Sequence, residues 1–114
     1  LYLYWTVLWF DNVTHFLGGL AMGLLTFWLF KRLYPAIQPL GLCKLIFIIF
    51  IFVIIIGIGW EIFEYYFNIA LPYTGETYWQ DTIHDLISDT LGAITATLII
   101  YKNKLHAQLT SLTR

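Results

Sequence analysis

Charge is scarce in this sequence. Of its 114 residues, 11% are Asp, Glu, Lys or Arg, while 60% are hydrophobic. A soluble domain carries about a quarter of its residues as charges, so a water-exposed globular domain is excluded. The net charge of −1 gives no electrostatic footprint for nucleic acid. The single cysteine, Cys43, rules out an internal disulfide and a thiolate metal cluster. Its place beside Lys44 at a membrane boundary reads as a buried apolar thiol ahead of a lipidation or redox site. Proline is confined to Pro35, Pro39 and Pro72, so the long apolar runs between them carry no helix breaker.

What is plentiful is hydrocarbon and aromatic surface. Aromatic residues make up 19% of the chain, and Trp and Tyr settle at the water–lipid boundary. Three runs are long enough to cross ~30 Å of hydrocarbon, which takes ~20 residues. They cover approximately residues 12–30, 42–68 and 81–101, with loops at Tyr34–Gly41 and Leu71–Trp79. The expected fold is an all-α integral membrane bundle, one domain over residues 1–114 with three complete spans. Leu1 to Phe10 is apolar but too short to span and lacks a signal peptide's basic flank. It is expected to be an interfacial segment or the tail of a helix begun upstream, in a chain that is the C-terminal portion of something longer. Residues 103–114 place Leu105, Leu109 and Leu112 on one side, the pattern of a short helix lying on the membrane surface.

Charge sets the topology. Lys31, Arg32, Lys44, Lys102, Lys104 and Arg114 all fall at one membrane level. By the positive-inside rule that level is cytoplasmic, giving a multi-pass inner-membrane protein with a cytoplasmic C-terminus. Every carboxylate lies at the opposite level: Asp11, Glu61, Glu64, Glu76, Asp81, Asp85 and Asp89, with His15 and His84 beside them. No basic residue there neutralises them.

At 100° per residue the acids form stripes. Asp81, Asp85, Ser88, Asp89 and Gly92 make one, with His84 at its margin; Asp11, His15, Gly18 and Met22 make a second; Gly57, Glu61, Glu64 and Asn68 a third. A charged group deep in the bilayer costs at least ~2.5–3.5 kcal/mol, so such stripes face a bundle interior. Asp81 and Asp11 also suit helix N-caps, whereas Asp85 and Asp89 sit too far inside their helix to cap it. Glu76 and His106 read as exposed. Trp9, Trp60 and Trp79 read as anchors at the membrane interface, ahead of substrate platforms. The sequon at Asn12-Val13-Thr14 lies against the membrane, where glycosylation is disfavoured.

Three resolutions of the acidic excess are open: protonated carboxylates bonded to one another, a water-filled pocket, or a bound divalent cation. Carboxylates and imidazoles at i, i+3 and i+4 are the donors helical bundles use for metals. The candidate ligands are Asp11, His15, Glu61, Glu64, Asp81, His84, Asp85 and Asp89. Trp9-x-Asp11 followed by His15, and Trp79-x-Asp81 followed by Asp85, also suggest a parallel repeat around the second span.

Asp11-Asn-Val-Thr-His15-Phe-Leu-Gly18-Gly19, Gly59-Trp60-Glu61-Ile-Phe-Glu64-Tyr65 and Asp81 through Asp85 to Asp89-Thr-Leu-Gly92-Ala93 resemble the YjdF-like inner-membrane proteins. More distantly they resemble the VanZ-like family. The resemblance spans Asp11 to about Tyr101. It implies fold and membrane location, names no reaction, and through the VanZ-like link implies a cell-envelope role. The leading functional expectation is a divalent-metal site at the outer leaflet. Its chemistry, if any, would be metal-assisted hydrolysis or group transfer on a lipid-linked or envelope substrate. A rival expectation is a non-catalytic accessory subunit, as a homo-oligomer or within a larger membrane complex. Ion or proton translocation is a third, for which only Thr95 and Thr97 lie below Asp89.

Overall fold

A computed structural model describes residues 8–34, 41–68 and 77–112. The described residues form three helices: α1, Leu8–Leu33; α2, Leu42–Phe67; and α3, Tyr78–Leu112. Each is long and apolar enough to cross a membrane. At ~1.5 Å per residue, α1 and α2 are ~39 Å long and α3 is ~52 Å. The molecule accordingly measures 58 × 24 × 23 Å. Large apolar side chains such as Leu25, Ile55, Ile62 and Leu98 are more than half exposed on the outer faces. In water that surface would be an aggregation liability; against lipid it is at home.

The helices are all-α and closely apposed because small residues let them be. α1 and α3 run parallel and pack most extensively, α2 lies antiparallel against α3, and α1 and α2 touch least. A Cβ added at Gly19 would collide with the backbone of Asp89, and one at Gly92 with Phe16 and Leu20. At Gly23 it would come 2.8 Å from the Ala96 methyl. Gly19, Gly23, Gly92 and Ala96 thus form a small-residue seam of the kind that draws helices together in lipid. Beside it, Ile49, Val53, Ala93 and Ile100 form the buried apolar core, with Phe27 and Leu45 packed against it.

Several sequence expectations are corrected here. The inward stripe of α1 runs Asp11, His15, Gly19, Gly23, Thr26, whereas Met22 is 36% exposed. Gly18 likewise lies beside the seam, its Cβ position 3.8 Å from Asp89 Oδ1. Asn68 is the C-cap of α2, in the left-handed region with φ 52° and ψ 40°, its N–H donating to the carbonyls of Glu64 and Tyr65. Asn tolerates that conformation. Cys43 is exposed in the first turn of α2, where lipid or the interface reaches it, and is no buried thiol. Residues 103–112 continue α3 without a break, so no separate surface-lying helix forms from them. Glu76, Arg114, most of both loops and the segment before Leu8 lie outside the described residues.

Candidate functional site

The acidic ends of the three helices converge. Asp11 and His15 of α1, Glu61 and Glu64 of α2, and Asp81, Asp85 and Asp89 of α3 are all at most 8% exposed. These are seven of the eight residues singled out from the sequence. The eighth, His84, is exposed, because it lies about 60° around the helix from Asp81 and about 100° from Asp85.

Local structure positions each side chain. α3 opens with a capping box: the Thr77 N–H donates to Gln80 Oε1 at 2.9 Å, and the Gln80 N–H donates to Thr77 Oγ1 at 3.4 Å. Thr77 therefore caps the helix, and Asp81 does not. Asp11 lies in the first turn of α1, inside the helix, with its backbone carbonyl accepting from Thr14 Oγ1 at 2.7 Å. Its carboxylate is left for the interior.

His15 is the hub. Its Nε2 stands 3.8 Å from Asp11 Oδ1 and 3.7 Å from Asp85 Oδ2, and its Nδ1 stands 3.6 Å from Asp89 Oδ1. One imidazole thus faces three carboxylates, each just beyond hydrogen-bond distance. Asp11, His15 and Asp85 each offer a ligand atom within 4.8 Å of the others. Asp89 reaches this level because Gly57 makes room: a Cβ there would come 2.7 Å from Asp89 Oδ2.

The α2 carboxylates are held by donors that sequence reading did not assign. Thr82 Oγ1 donates to Glu61 Oε2 at 2.7 Å, both groups buried. Trp60 Nε1 donates to Glu64 Oε1 at 2.7 Å, so the indole expected to be only an interface anchor also orients a site carboxylate. The Tyr78 hydroxyl donates to the Glu61 backbone carbonyl at 2.9 Å, tying the start of α3 to the end of α2. The i, i+4 spacing of Trp60 and Glu64 was a usable signal for one of these. Thr82 gave none, because its partner lies on another helix. Two buried oxygens, Asp11 Oδ1 and Glu61 Oε1, have no hydrogen-bond partner.

Below Asp89 the interior turns apolar. Among the described residues only Thr26 and Thr97 are buried polar side chains there. The Thr97 and Thr95 hydroxyls donate to the Ala93 and Leu91 carbonyls of their own helix, at 2.9 and 2.8 Å. Both hydroxyls are thus engaged with backbone carbonyls of their own helix. Toward the lipid, a cleft of about 410 Å³ opens between α1 and α2. Met22, Val53, Ile56 and Trp60 line its walls, and His15, Glu64 and Asp89 lie at its inner end.

The suggested repeat lies close to the packing register. Gly19 meets Asp89 and His15 faces Asp85, both at the spacing that pairs Asp11 with Asp81, while Gly92 and Ala96 meet Gly19 and Gly23 three residues further along.

No curated protein and no solved structure matches the chain. Its sequence does match, over residues 1–105, the model of a family described as a predicted membrane protein, DUF2238. With three apolar helices of spanning length and a match covering most of its residues, the chain belongs to the DUF2238 family of membrane proteins.

Proposed function

We propose that this protein binds a divalent cation in the buried cluster, with Asp11, His15 and Asp85 as its ligands. The observation that carries the reading is their convergence, with Asp11 Oδ1 buried and without a hydrogen-bond partner. Burying six acids around a single imidazole is costly unless further positive charge is supplied, and among the described residues the lysines and arginines all sit at the other end of the bundle. The donor set suits the site: two carboxylates and an imidazole are ligands for borderline or hard divalent ions. Ligand atoms sharing an ion at ~2.1 Å stand roughly 3.0–3.5 Å apart, so the three atoms, 3.7 and 3.8 Å apart at His15 and all within 4.8 Å of one another, would draw together on binding. Asp89 facing Nδ1 completes the pattern in which a carboxylate orients a metal-binding histidine.

The lateral cleft favours a lipid-linked or envelope substrate, in keeping with the resemblance to YjdF-like and VanZ-like proteins. An apolar chain would lie between Met22 and Ile56 while its polar end reached His15 and Asp89. A bound ion would supply Lewis acidity and an activated water. Of the carboxylates outside the ligand set, Glu64, which lines the cleft, would act as the base. By the charge rule the cluster faces the outer leaflet of the inner membrane.

Elemental analysis of the purified full chain tests the cation. One divalent ion per chain is expected, lost in Asp85→Ala. A metal-free preparation whose thermal stability is unchanged by chelator would refute it.

A further inference from the structure

A second cavity lies at the other end of the bundle and takes no part in the acidic cluster. It is about 560 Å³, within the range of small-ligand sites. It lies between the last turns of α1, the first turns of α2 and the extension of α3. Its walls are graded. Toward the membrane centre they are apolar, from Phe27, Leu45, Ile49 and Ile100, and Ile49 and Ile100 belong to the buried core. Toward the helix ends they carry Lys31, Lys104, Gln108 and Ser111. Among the described residues no acidic side chain lines it.

That gradient is the profile of a phospholipid in the leaflet on the basic side. Acyl chain would lie against Phe27 and Leu45, and a headgroup would meet lysine ammonium and side-chain amide donors at the membrane surface. Basic pockets between transmembrane helices are the sites that hold anionic headgroups. The unbroken course of α3 beyond Tyr101 matters here, because it carries Lys104, Gln108 and Ser111 up alongside Lys31 to form the upper wall.

We infer that this cavity is a binding site for one anionic phospholipid. The charge complementarity selects the occupant: Lys31 and Lys104, with no carboxylate among the described lining residues, favour a phosphodiester with net negative charge over a zwitterionic headgroup. Each basic contact near a membrane surface contributes ~1 kcal/mol, so removing both lysines is expected to weaken retention about thirtyfold.

The experiment is native mass spectrometry of the full chain, purified in neutral detergent and offered equimolar phosphatidylglycerol and phosphatidylcholine. Selective retention of one phosphatidylglycerol is expected, lost in Lys31→Gln/Lys104→Gln. It should also be lost in Ala107→Trp, which places bulk at the exposed rim of the cavity without touching the core. Circular dichroism melts establish that both variants remain folded. Equal retention of both lipids overturns the inference. So does retention unaffected by either variant, or a lipid-free dimer of the chain. The cation content of the acidic cluster has no bearing on any of these outcomes.

Discussion

Adding a single methyl group at Gly92 tests whether the seam between α1 and α3 builds the site. A Cβ at Gly92 would stand 2.6 Å from Leu20 N and 3.0 Å from Gly19 C, and would overlap the Phe16 carbonyl. Comfortable contact begins near 3.4 Å. These neighbours are backbone, which cannot rotate away, so α1 and α3 must part by about 1 Å in an interior with no slack. Overpacking of this kind costs ~1–3 kcal/mol, and removing a helical glycine returns only ~0.5–1 kcal/mol. Gly92→Ala should therefore destabilise by about 1–2 kcal/mol. The control is Gly59→Ala on α2, where nothing lies within 4 Å of the new Cβ. There only the propensity gain remains, so the change should be neutral or stabilising by up to ~1 kcal/mol. Unfolding in mixed micelles, followed by circular dichroism, compares the two. Parting α1 from α3 also carries His15 away from Asp85 and Asp89, so Gly92→Ala should lower the retained divalent cation as well. If the two alanine variants melt together, the close approach at Gly92 is not what holds the bundle.

Thr82→Val should cost ~1–3 kcal/mol, because it leaves Glu61 Oε2 buried without its donor. Thr82→Ser should restore most of that, and equal melting of the two variants would show the hydroxyl to be idle. Asn68→Val forces a β-branched residue into the left-handed cap and should destabilise α2 by ~1–2 kcal/mol. Asn68→Gly should not, and thermal melts of both variants read the difference. Cys43, exposed beside Lys44, reports topology: an impermeant maleimide should label it in inverted vesicles and not in intact cells. Labelling of intact cells would reverse the orientation drawn from the basic residues.

That the chain forms three helices long and apolar enough to span was legible because hydropathy is a one-dimensional property, whereas the continuation of α3 to Leu112 was not. Burial of Asp85 and Asp89 was legible for a related reason, since neither has a capping role and neither can face lipid. The exact rotation of α1 was not. Gly18 and Gly19 are adjacent glycines, and both continue a plausible stripe from Asp11 and His15. Only the opposing backbone at Asp89 and Gly92 selects Gly19. The donors to Glu61 and Glu64 were hidden for a different reason. Thr82 looks like any hydroxyl in the first turns of a helix, and Trp60 like any aromatic at an interface. The role of Thr82 comes from the register of α3 against α2, whereas Trp60 reaches Glu64 one turn along its own helix.

That register also explains where the cluster opens. α3 packs along both neighbours and supplies three of the six buried acids, so it forms the closed back of the site. The α1–α2 contact is the slight one, and Gly57, on the α2 side, keeps its face free of side chain beside Asp89. Glycine thus serves two ends. At Gly19 and Gly92 it draws α1 onto α3 until His15 stands among three carboxylates. At Gly57 it leaves the space into which Asp89 projects. A larger residue at position 57 would meet Asp89 Oδ2 and Leu86 Cδ2 at 2.7 and 3.0 Å, pressing that carboxylate back toward His15. The same sparing use of side-chain volume therefore both assembles the charged group and keeps it reachable from the lipid.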